Sequence, residues 1–154
     1  MPQLVKGGKY IFGWSKVGEN GKLIIPEEAY LEYKLNEDDK GILISGSKRS
    51  GGFGLSSSRL LKNSPIGKML EGFPELLNHQ LEEGKLFKIK EKNYCWITIY
   101  KSGIIEIPQK TLRAFNIKLN DNLLVGRGSG LALGFIAKGP IYEEAKKHPE
   151  IPYF

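Results

Sequence analysis

Apolar and polar positions along the chain fall into short runs, each closed by a turn signal. From Lys9 to Val17 the residues Tyr10, Ile11, Phe12, Trp14 and Val17 are aromatic or β-branched, which predicts a strand. Gly18-Glu19-Asn20-Gly21 predicts a tight turn, because Asn-Gly readily takes positive φ angles, and Lys22 to Ile25 forms the returning strand. Pro26 ends that strand and suits the first turn of a helix, where its missing N–H costs nothing. Glu27 and Glu28 then complement the positive end of the helix dipole, and Tyr30, Leu31 and Leu35 supply an apolar face. Beyond the exit turn Asn36 to Gly41 lie a strand at Ile42-Leu43-Ile44, a Ser/Gly-rich bend from Ser45 to Gly52, and a short strand at Phe53-Gly54-Leu55. The unit reads strand, strand, helix, strand, strand.

The same rhythm returns. Gly21 and Gly103 are 82 residues apart, and so are Pro26 and Pro108. Holding that offset without a gap also pairs Trp14 with Trp96, Val17 with Ile99, Tyr33 with Phe115, Leu35 with Ile117 and Asp39 with Asp121. The second copy has strands at Tyr94 to Tyr100 and Ile104 to Ile107, a helix from Pro108 to Ile117 with Leu112 and Phe115 inward, and strands at Leu123 to Val125 and Leu131 to Ala137. The resulting organisation is a first unit over 9–56, a helical linker over 57–92, a second unit over 93–138 and a tail over 139–154, with the two units folding as one domain. In the linker, Ser58 to Lys62 and Ile66 to Glu83 read as helical, interrupted near Gly72 and Pro74, and Leu86 to Lys90 alternates like an extra strand. One short helix is expected between Pro140 and Pro149.

Composition narrows the class without naming a function. The 154 residues are 40% hydrophobic and 26% charged, an ordinary globular mixture and not a disordered one. No apolar run approaches the roughly 18–20 residues that cross a bilayer, and Met1 to Gly8 lacks the apolar centre of a leader, so no membrane association and a cytoplasmic location are expected. A single cysteine, Cys95, excludes an intramolecular disulfide. The net charge of +6 favours polyanionic partners.

The stretch Trp14-Ser15-Lys16-Val17-Gly18-Glu19-Asn20-Gly21-Lys22-Leu23-Ile24-Ile25-Pro26-Glu27-Glu28, followed by Leu35-Asn36-Glu37-Asp38-Asp39, resembles the AbrB/MazE/SpoVT family of transition-state regulators and antitoxins. The second copy resembles it more loosely through Gly103, Ile105, Ile107-Pro108, Ile117 and Asp121. The resemblance implies a mainly β fold with short helices, a swapped-hairpin β-barrel of the cradle-loop type. Here two ββαββ units in one chain would form the pseudo-dimer internally, an arrangement similar to MraZ. A double-psi barrel is the neighbouring alternative. One such unit alone is too small to bury both faces of its strands.

The resemblance also implies binding of double-stranded DNA, as a transcriptional regulator of prokaryotic type, through basic strand and turn edges. Lys22 falls on the family's basic position after the glycine, Lys16 on a basic position of the first strand, and Arg113 is kept at the second helix. Lys101 and Lys110 are nearby substitutes. Departures are plain: Ser15, Tyr30, Leu31, Ile97, Thr98 and Ile104 stand where basic residues would fall. Lys48, Arg49, Arg59 and Lys62 read as a solvated face. A second reading, from another class, is a protein-interaction or oligomerisation module that keeps the barrel without DNA. Its partner surface, or a homo-oligomer contact, would be the linker helices around Met69, Leu76, Leu77 and Leu81. A third is a small-ligand cleft between the halves.

Catalytic and cofactor chemistry finds little support. Gly126-Arg127-Gly128-Ser129-Gly130 lacks the Gly-Lys-Ser/Thr ending of a nucleotide loop and reads as a glycine-rich bend. Asp38, Asp39 and Asp121 recur at a turn that favours Asp, and His79 and His148 have no ligands at metal spacing. Trp14 and Trp96, at equivalent places, predict a shared core role, with Cys95 packing beside Trp96. No enzyme, metal or cofactor is expected.

Overall fold

A computed structural model describes residues 3–5 and 9–154, with side-chain surroundings from Ile11 onward. The reading of Met1 to Gly8 therefore lies largely outside the described residues. The first unit comprises β2 (Lys9–Lys16), β3 (Lys22–Ile24), α1 (Glu27–Glu32), β4 (Lys40–Ser45) and β5 (Phe53–Ser56). The second comprises β7 (Lys92–Thr98), β8 (Ile104–Glu106), α5 (Gln109–Ala114), β9 (Asn122–Arg127) and β10 (Leu133–Ile136). An edge strand precedes each, β1 (Gln3–Val5) and β6 (Phe87–Ile89), so β1 extends the first unit beyond its expected start.

The main sheet is antiparallel, in the order β1-β2-β9-β10-β5-β4-β7-β6, and β3 and β8 pair separately as a two-stranded ribbon. Each unit thus lends its first strand to the other: β2 lies on β9, and β7 lies on β4. The repeat offset governs the register. Trp14 pairs with Leu124 as Trp96 pairs with Ile42, and Lys16 pairs with Asn122 as Thr98 pairs with Lys40. Isolated backbone bonds follow the same rule. Val17 N–H donates to Asp121 O (2.9 Å) as Ile99 N–H does to Asp39 O (2.8 Å), and Ile25 N–H to Gly103 O (2.8 Å) as Ile107 N–H does to Gly21 O (3.0 Å). A pseudo-two-fold axis consequently passes through the self-paired positions Leu23/Ile105 in the ribbon and Phe53/Phe135 in the sheet.

Among the described residues no strand pairing joins the two edges of the sheet, so the expected closed barrel is not formed by its hydrogen bonds. The turns at 18–21 and 100–103 redirect the chain, and the three-residue strands β3 and β8 leave the main sheet to pair across the axis. The first turn uses left-handed Asn20 (φ 62°) and Gly21 (φ 72°), as its Asn-Gly sequence demands. Between ribbon and sheet lies the main core. It contains Phe12 and Leu55 together with the repeat pairs Val17/Ile99, Leu23/Ile105, Leu43/Val125 and Phe53/Phe135. Phe53 and Phe135 stack on the axis with ring centroids 4.8 Å apart.

The outer face of the sheet has two different covers. Over one half, α2 (Ser58–Leu61), α3 (Pro65–Leu70) and α4 (Pro74–Leu77) bury Ile42, Ile44 and Tyr94 with their own Leu61, Leu70 and Leu76. Ser57 and Ser64 cap α2 and α3, accepting from Leu60 N (3.2 Å) and Gly67 N (2.9 Å). The helix expected to run to Glu83 ends at Leu77, and His79 takes a left-handed φ of 58° in the loop that follows. Over the other half, α6 (Pro140–Ala145) and the tail bury Ile11, Trp14, Leu124 and Ile136 with Ala145 and Ile151.

The two tryptophans are equivalent in register but share no core, because each faces a different cover. Trp14 is buried against Tyr142 and Tyr153 (centroids 5.1 and 6.1 Å). Trp96 is half-buried and donates from Nε1 to Leu81 O (2.6 Å).

Candidate nucleic-acid interface

The ribbon presents alternate residues outward. Leu23 and Ile105 are fully buried, whereas Lys22, Ile24 and Glu106 are exposed and Ile104 is half-exposed. Lys22 stands directly opposite Glu106, and Ile24 opposite Ile104. Side chains opposed in this way lie about 5 Å apart at Cβ, so the ribbon has one charged end and one apolar end.

At the charged end the β2–β3 turn meets α5 and the turn that follows it. Gly21 O accepts from Ile107 N–H (3.0 Å), and Val17 bonds both Asp121 (N–H to O, 2.9 Å) and Asn120 (O from N–H, 2.8 Å). Lys16, Lys22, Lys110 and Arg113 are therefore carried on adjoining elements, all exposed, and no ion pair involves any of them among the described residues. Lys118, which the sequence reading passed over, joins them from the turn after α5, where Asp121 Oδ2 accepts its backbone N–H (2.8 Å). Its repeat partner is Asn36, so the repeat gives no sign of it; the bonds of its turn to Val17 bring it to this end. Glu19, Glu106 and Asp121 are acidic residues of this end, and Glu82 and Glu83 adjoin it through Gly84, whose carbonyl accepts from Thr111 Oγ1 on α5.

Lys101 is at the opposite end. Its carbonyl accepts from Tyr30 Oη (3.2 Å) on α1, and Tyr100 N–H donates to Ile104 O (3.0 Å). The five expected site residues thus divide four to one. Ser15 is fully buried and donates from Oγ to Ile24 O (2.8 Å), tying β2 to the end of β3, and Ile97 is buried at the equivalent place. Neither position could offer a phosphate contact.

Other arginines are committed within the fold. Arg59 forks onto Asp38 (2.9 and 3.2 Å) and donates to the carbonyls of Tyr33 (2.8 Å) and Lys34 (3.1 Å); the Asp38 hydrogen bond holds its pKa up. Arg127 forks onto Glu32 (2.7 and 2.6 Å), and that bond holds the glutamate below its ordinary pKa. The glycine-rich bend is a structural stop: Tyr33 Oη donates to Ser129 O (2.6 Å) beneath it, and burial pushes that phenol up to about 12. Burial also pushes the Cys95 thiol up to about 12. Among the described residues no three His, Cys, Asp or Glu side chains gather in a metal-binding group.

The linker surface expected to meet a partner faces inward. Leu76 is fully buried, and Met69, Leu77 and Leu81 pack beside it on the chain's own sheet, because Ile42 and Ile44 need a cover. No helix of the described residues is long and apolar enough to cross a membrane. No protein-family model matches the chain, and no curated protein matches it.

Proposed function

We propose that the protein is a DNA-binding regulator of the AbrB-like class, with an internally paired swapped-hairpin arrangement that meets DNA at one end of the ribbon. The exchange of first strands between the units, in one 82-residue register, carries the reading. That exchange is what the swapped-hairpin architecture requires. Four exposed cations on adjoining elements, Lys16, Lys22, Lys110 and Arg113, support a phosphate-contacting edge. Because the repeat partners of these four are Thr98, Ile104, Glu28 and Leu31, the second end offers no equivalent edge, and one chain engages a single asymmetric DNA site.

The test is fluorescence anisotropy with a random duplex pool at several salt concentrations. Four phosphate contacts predict a slope of log K against log salt near −4, at roughly −0.9 per contact. Lys22→Ala and Lys16→Ala/Lys22→Ala each weaken binding and flatten the slope by about one per lysine removed, whereas Lys101→Ala leaves it unchanged. Absence of binding at low salt, or equal sensitivity to Lys101→Ala, overturns the proposal.

A further inference from the structure

On the outer face of the sheet the central strands carry a row of glycines. Phe53, Phe135 and Val125 enter the main core, so by strand alternation their neighbours Gly54, Gly134 and Gly126 face outward. Ladder pairing sets the three side by side: Gly54 opposes Gly134, and Gly134 opposes Gly126. The row continues to Ile44 on one flank and Ile11 on the other. Those isoleucines lie under different covers, Ile44 under the linker helices and Ile11 under α6 and the tail. A strip of bare backbone, about 10 Å from its first strand to its third, therefore separates the two covers.

Backbone geometry does not demand glycine at 54 or 134. Neither has a positive φ, and a Cβ would meet only the Ala132 methyl (3.3 Å) at Gly54 and the Gly126 carbonyl oxygen (3.3 Å) at Gly134. At Gly46 and Gly52, in contrast, a Cβ would fall on the carbonyls of Gly51 and Phe135. Glycine inside a strand weakens it and marks a place where a backbone or a ligand approaches closely. A cavity of about 300 Å³ stands on this floor, at the lower end of the range for small-molecule sites. Ile44 and Ile66 form one wall, and Ile136 and Ile141 the other. One end reaches the 46–52 bend beside Lys92, whose Nζ donates to Ser45 O (3.1 Å). Among the described residues that line the cavity, Lys92 alone is charged. The segments at that end also carry Lys48, Arg49, Lys90 and Lys138 against Glu91.

We infer that this groove binds a small planar aromatic carboxylate of one or two fused rings. The ring lies on the glycine strip, where no side chain holds it off the sheet, and its edges meet the four isoleucines. Its carboxylate meets Lys92, whose ammonium group spends one donor on Ser45 O and keeps two more. A puckered, saturated ring would not lie flush on the same floor. The groove is on the face of the sheet turned away from the ribbon, so the inference does not rest on the DNA reading.

Titration of the full chain with β-naphthoate, without nucleic acid and followed by amide chemical shifts, tests the site. The expected result is saturable binding with shifts confined to residues 44–54, 92 and 126–141. β-Naphthylmethanol, which lacks the charge, is expected to bind about tenfold more weakly. The decahydro carboxylate, which lacks the flat ring, is also expected to bind more weakly. Two variants separate floor from charge, and circular dichroism melts confirm that both remain folded. Gly54→Ala is expected to weaken β-naphthoate about tenfold by raising a methyl from the floor. Lys92→Gln is expected to lower the acid to the affinity of the alcohol and leave the alcohol unchanged. Absence of saturation, shifts centred elsewhere, or equal affinity for the flat and saturated acids overturns the inference. So does undiminished binding by Gly54→Ala, or a Lys92→Gln variant that still prefers the acid.

Discussion

The two units share an interior and differ in almost everything outside it. Val17 and Ile99, Leu35 and Ile117, Leu23 and Ile105, and Phe53 and Phe135 are buried at equivalent places. Outward, Ile42 lies under the linker helices while its partner Leu124 lies under α6 and the tail. The poles of the ribbon differ as well, Glu28 and Leu31 standing where the other has Lys110 and Arg113. A repeated core can persist because each half packs against the other, so both must keep matching shapes. The surface carries no such constraint, and each half of the outer face is free to acquire its own cover and charge.

The largest effects should come where the halves meet. Phe53→Ala and Phe135→Ala are each expected to cost about 3–5 kcal/mol in urea unfolding, and the double variant less than the sum because the rings stack. Both should retain one cooperative transition; two separated transitions would mean that the units do not depend on each other. Next come the covers. Leu76→Ala under the linker and Ile151→Ala under the tail should each cost about 2–5 kcal/mol, despite lying outside the repeat. A change within about 0.5 kcal/mol at either site would mark that cover as dispensable.

The equivalent glycines sharpen the comparison further. Both have positive φ (72° at Gly21, 79° at Gly103), so alanine at Gly103 should cost about 1–2 kcal/mol. A Cβ at Gly21 would also fall on the Ile107 carbonyl, whereas at Gly103 its nearest atom is Ile25 O at 3.5 Å. Gly21→Ala should therefore cost clearly more, and equal losses would contradict the register of the ribbon. The smallest effect is electrostatic. Arg127→Ala should cost no more than about 1 kcal/mol, as the pair with Glu32 is partly solvated. Arg127 lowers the folded-state pKa of Glu32, so its contribution is full above the ordinary glutamate pKa and is lost as pH falls through the folded value. The variant and wild type should converge in acid.

Strand and helix positions were legible because local chemistry fixes them: Asn20-Gly21 demands the turn, Pro26 and Pro108 mark the helix starts, and the 82-residue offset identifies the partners. Strand exchange was expected only through the family resemblance, but the offset sets its register. What could not be read was which surface each exterior residue meets. Leu76 and Leu77 have the same spacing whether they face a partner or the chain's own sheet, and only the position of Ile42 and Ile44 decides. Lys101 reads as a nearby substitute for a basic position of the second copy, yet the exchange of strands sends its turn and that of Lys22 to opposite poles. Arg59 and Arg127 give no local sign of their carboxylate partners, which come from Asp38 and Glu32, elsewhere in the sequence.

The central claim is that one pole of the ribbon, and not its pseudo-symmetric mate, meets DNA. Amide chemical-shift mapping of the labelled chain titrated with a short duplex tests it most directly. The account predicts perturbations that cluster on residues 16–22 and 109–121 and leave 27–37 and 98–104 unmoved. Equal perturbation of both poles, or none at low salt, would contradict it.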